Sequence, residues 1–172
     1  MDRADRPPGR DTTPAYTKQR RIWYGYGEQA DVEKGPLGRF LHDVPQAFMD
    51  VFFPSIPVLL FVALAVEDGG YGVSGAVLVT WTTMTLVAAL VRGGWIPPVA
   101  TDTLGWVTFH PVLLGLRIIY YNLLLLVAGY GGVWVASVSG YPPASLLFAM
   151  IVSTLAMLAF PRIAESVARR TF

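Results

Sequence analysis

The chain has no cysteine, which excludes disulfides, thiolate metal centres and cysteine nucleophiles. Its only histidines are His42 and His110. Neither has a second His or an acid at the spacing of a helical site such as H-E-x-x-H, so no metal is expected. Nucleophile-elbow, P-loop and Rossmann glycine patterns are missing too. The GYGG run at 129–132 lacks the Thr-Val that precedes the glycines of a potassium filter. The sequence therefore predicts no catalytic residue and no cofactor, and an intramembrane enzyme ranks last among the functional readings.

Charge is also scarce. Asp, Glu, Lys and Arg make up 15% of the chain, against about a quarter in a soluble domain. The deficit is concentrated. Between Val51 and Phe160 the only acids and bases are Glu67, Asp68, Arg92, Asp102 and Arg117. Long runs without polar faces flanked by charged ends predict an all-α integral membrane protein. Four transmembrane helices are expected, over about 47–66, 73–91, 112–138 and 144–161. EDGGYG at 67–72 and SGYPP at 139–143 have the composition of tight turns. The third apolar stretch, 104–138, is too long for one span, and Pro111 supplies the break. Leu104–His110 is then interfacial, with Trp95 and Trp106 in an aromatic belt. A break at GYGG is the alternative; it would place Arg117 inside the hydrocarbon rather than at its edge.

The basic residues fix an expected orientation. All 13 Lys and Arg lie before the first span, between the second and third, just inside the third, or after the fourth. The other two turns hold only Glu67 and Asp68. Positive charge collects on the cytoplasmic side, so both termini are expected there, in the cell membrane.

Residues 1–35 have little to bury and read as a disordered cytoplasmic tail ahead of a transmembrane domain over 36–172. The first apolar run begins only near residue 47, so no cleavable signal peptide is expected. Within the tail, Arg20, Arg21, Trp23 and Tyr24 combine cations with aromatics, a pattern suited to a membrane surface or a partner protein. Nucleic-acid binding is not expected, because the patch is short and Glu28, Asp31 and Glu33 follow it. Residues 36–53 alternate as an amphipathic helix. Phe40, Leu41, Val44, Ala47, Phe48, Val51 and Phe52 share one side; Arg39, Asp43, Gln46 and Asp50 share the other. An N-terminal interfacial helix is predicted here, with Pro36 at its first position.

Three groupings are candidates for function. Asp50 and Arg117 reach matching depths at the inner interface and predict an ion pair; separate headgroup contacts are the alternative. Gly115, Asn122, Gly129 and Ala136 recur every seven residues on the third helix. With Ala149 and Ser153 on the fourth they predict a small-residue packing seam between those two helices. Ser74, Thr80, Thr82, Thr83 and Thr85 make the second helix the most polar span. Such hydroxyls usually bond their own preceding carbonyls, and lining a polar path is the second reading. The two halves of the chain show no repeat, and no acid or base lies at mid-membrane, which argues against an inverted-repeat or proton-coupled carrier. Beside the bilayer, the expected partner is a larger membrane protein or further copies of the chain. The functional reading is a non-enzymatic subunit or scaffold acting through partner proteins, with a small oligomeric transporter or channel as the alternative.

Overall fold

The computed structural model describes residues 36–66, 70–101 and 111–171. They form four helices: α1 (Pro36–Ala65), α2 (Val73–Arg92), α3 (Pro111–Ser139) and α4 (Ala144–Thr171). No strand occurs among the described residues. Each helix is long and apolar enough to cross a bilayer. These four candidate spans make the architecture of a multi-pass membrane protein. Residues 1–35, 67–69, and 102–110 with Trp106 and His110 lie outside the described residues, as does the predicted contact of Arg20, Arg21, Trp23 and Tyr24.

Prolines begin two helices. Pro36 and Pro111 stand at first helical positions, where a missing N–H costs nothing. The third helix continues through Gly129–Gly132 without a break. The second stops at a glycine pair. Gly94 takes the left-handed conformation (φ 75°), Gly94 N–H bonds the Val91 carbonyl and Trp95 N–H bonds Leu90. This is a Schellman C-cap, and glycine takes the left-handed position because it has no Cβ to clash.

The interfacial lead-in does not separate as an element of its own. Residues 36–65 are one helix despite Pro45, Pro54 and Pro57. The face it turns to the bundle carries Asp43, Ala47, Val51, Ser55, Val58 and Val62, all buried. Leu37, Leu41, Phe53 and Leu64 point outward. Asp43 thus packs inward and leucines face out, the arrangement that a lipid surround favours.

The helices do not form a square. The central pair, α2 and α3, touch each other, and each touches both α1 and α4. Among the described residues α1 and α4 make no contact. Small residues set the close approaches. Ala76, Ala128 and Ala149 bury together where α2, α3 and α4 meet. Larger side chains fill the remainder, with Met84 and Leu125 fully enclosed.

Candidate functional site

The polar chemistry inside the spans gathers on three consecutive residues of α3: Tyr120, Tyr121 and Asn122. Successive helical residues turn by about 100°, so Tyr120 and Asn122, two apart, address different helices. The Tyr120 hydroxyl donates to the Ala156 carbonyl of α4 at 2.9 Å. Both tyrosine rings pack on Phe160 of α4, at centroid distances of 5.3 and 5.2 Å. Asn122 turns the other way, to α1.

There the two prolines matter. Pro54 and Pro57 have no N–H, so the Asp50 and Phe53 carbonyls lose their helical donors, although α1 continues through both prolines. Asn122 meets α1 along this stretch. Its Oδ1 accepts from Val58 N–H at 3.0 Å, and its Nδ2 donates to the Pro54 carbonyl at 2.6 Å. Nδ2 also reaches the Ile118 carbonyl in its own helix at 2.7 Å. Pro54 and Val58 are four apart, one turn of α1. Beside it, the Ser55 hydroxyl is fully buried and has no hydrogen-bond partner among the described residues.

Towards the basic end, α1 is tied to α2. Arg92 Nη1 lies 3.1 Å from Asp50 Oδ2, with both side chains roughly a quarter to a third exposed. The sequence pairs Asp50 with Arg117; in the structure the ion-pair partner of Asp50 is Arg92. Arg92 is the last residue of α2, the helix packed beside α1, and its long side chain brings the guanidinium to the carboxylate. Farther out, His42 Nδ1 stands 3.7 Å from the buried Asp43 carboxylate. Phe48 stacks on Phe52, and both meet the Trp81 ring edge-on, a second junction of α1 with α2.

The predicted small-residue seam divides among several neighbours. Asn122 serves α1. A Cβ on Gly129 would meet Val77 and Val73 of α2, at 2.8 and 3.2 Å. A Cβ on Gly115 would meet nothing within 4 Å. Ala136 lines an open groove of about 350 Å³ with Tyr71, Val133, Ser137, Gly140 and Pro142. Ala149 and Ser153 are buried, and the Ser153 hydroxyl bonds the Ala149 carbonyl of its own helix. The close approach of α3 to α4 lies instead at Gly131 and Gly132. A Cβ on Gly132 would stand 2.7 Å from the Ser145 carbonyl, and one on Gly131 would stand 2.9 Å from the Phe148 ring. The seven-residue repeat missed these two because seven residues fall short of two helical turns by ~20°, and straight helices that cross do not keep one neighbour over three repeats.

Other hydroxyls are tied to backbone. Thr80 and Thr85 bond the Ala76 and Trp81 carbonyls of their own helix. Ser145 Oγ donates to the Tyr71 carbonyl at 2.8 Å, joining the α1–α2 turn to the start of α4. Sequence reasoning also passed over Glu165, a buried acid that accepts from Thr101 Oγ1 at 2.6 Å and lies 3.5 Å from Arg162 Nη1. Its three-residue spacing from Arg162 was the available signal.

The arrangement joins helices: it ties a side-chain amide to the backbone of another helix, pairs one carboxylate with one guanidinium, and fastens a tyrosine to a carbonyl. No curated protein and no solved structure matches the chain. A family profile matches residues 34–167, from just before α1 to near the end of α4. The chain accordingly belongs to the family described as domain of unknown function (DUF8215).

Proposed function

We propose that this protein is a non-enzymatic membrane subunit or scaffold that works by holding partner chains. The observation that carries this reading is the use made of Asn122, which is fastened to the α1 backbone at both ends of its amide. An amide lining a solute path would keep its donors and acceptor for the solute. The outer surface is broadly apolar, with Leu64, Ile119, Trp134 and Val138 at least two-thirds exposed, or nearly so. That surface suits lipid and the apolar face of another membrane protein.

The distribution of Lys and Arg supports a cell-membrane orientation with both termini cytoplasmic. The 30 residues of α1 rise about 45 Å, more than the ~30 Å hydrocarbon, so its turns before Ala47 belong at headgroup level. Arg20, Arg21, Trp23 and Tyr24 then stand close enough along the chain to touch anionic headgroups or a partner.

One observation favours a second reading, a small oligomeric transporter or channel. The unpartnered Ser55 hydroxyl lies on a proline-containing helix, a setting that transporters use for solute contacts. Purification from native membranes separates the two. A stoichiometric larger protein that stays bound supports the scaffold. A homo-oligomer that copurifies alone and moves a solute into liposomes replaces it with the transporter.

A further inference from the structure

The connection leaving α2 turns back into the bundle. The Ser145 hydroxyl bonds the Tyr71 carbonyl, so α2 and α4 start level at the end away from the basic residues. From there the 20 residues of α2 rise about 30 Å to Arg92. Along α4 the rise from Ser145 to Leu158 is only about 20 Å. Yet Val99, seven residues after Arg92, donates its N–H to the Leu158 carbonyl at 3.0 Å. Val99 therefore sits about 10 Å back along the bundle from Arg92, and one turn inside Arg162, the first charged residue of α4.

Non-helical backbone is tolerated at membrane depth only where its polar groups are answered. For its N–H donors, the segment Ile96–Pro97–Pro98–Val99 meets that condition. Its two prolines carry no N–H, Ile96 N–H reaches Leu90 and Val99 N–H reaches Leu158. Beyond it, Thr101 is held at Glu165. The outward side chains are apolar: Trp95, Pro97 and Val99 are exposed, whereas Pro98 is buried. From depth, backbone pairing and outward apolarity together we infer that residues 96–100 form a re-entrant loop whose Pro97 and Val99 touch lipid acyl chains on the basic side of the membrane. This rests on the helices being membrane spans, and the test below separates the two ideas.

The chain has no cysteine, so single cysteines report without background. Val99→Cys is labelled with bimane and the full chain is reconstituted into phosphatidylcholine–phosphatidylglycerol vesicles. Leu123→Cys, exposed halfway along α3, and Arg170→Cys, exposed near the end of α4, are the references. The Val99 label is expected to be quenched more by acyl-chain nitroxide lipid than by headgroup nitroxide or aqueous iodide, as at Leu123. Quenching in the Arg170 pattern overturns the loop, and so does protection from every quencher, which means protein covers it. Iodide quenching at Leu123 removes the membrane reading itself and the loop with it. Pro97→Cys carries the same test if Val99→Cys does not fold.

Discussion

The Asn122 amide meets the Pro54 carbonyl with its Nδ2 and the Val58 N–H with its Oδ1, two backbone groups one turn apart on α1. One side chain of α3 thereby binds the backbone of α1 at two points. In a membrane the alternative partner, water, is absent, so the amide depends on backbone partners of this kind.

Asn122→Leu keeps the volume and removes both bonds. It is expected to lower stability by about 1–2 kcal/mol, the range for leaving buried backbone groups unanswered within a membrane bundle. Chemical unfolding in detergent micelles measures it. An unchanged midpoint would show that the α1 backbone closes on itself without Asn122.

Arg92→Asp and Asp50→Arg should each destabilise, and the double reversal should recover about 1 kcal/mol of coupling, as for a partly exposed pair. The same cycle on Asp50 and Arg117 should recover less. Rescue by the Arg117 swap and not by the Arg92 swap would return the pairing to the one read from sequence.

Glycines on α3 should differ sharply. Gly132→Ala drives a methyl into the Ser145 backbone, which cannot swing aside, and is expected to cost about 1–3 kcal/mol. Gly115→Ala meets open space and should be neutral or stabilising by up to about 1 kcal/mol through helix propensity. Thermal unfolding of both variants in one detergent decides it; equal effects would remove Gly132 from the α3–α4 contact.

Thr101→Val deletes the bond to Glu165 while keeping the shape. The expected loss is about 0.5–1.5 kcal/mol, felt locally. Amide exchange should quicken at Val99 and Ala100 more than in the core of α3. Uniform exchange across the bundle would mean that Glu165 does not hold this connection.

Composition and charge placement made four helical spans legible, because apolar length and the absence of polar faces are properties of the chain itself. Pro111 marked a helix start by backbone chemistry that needs no neighbour. The continuity of α1 was not legible, since Pro45, Pro54 and Pro57 argue locally for bends, and yet one helix runs through all three.

What the sequence alone determined is which residues leave water and which end of each helix carries positive charge; burial and charge follow from side-chain chemistry one segment at a time. What only the tertiary structure decided is which helix each polar side chain serves. Asp50 meets Arg92, Asn122 meets α1, and Gly132 meets Ser145. Periodicity gives a direction around one helix, but a contact also needs the position, tilt and depth of the helix opposite, and those are set by all four packing together.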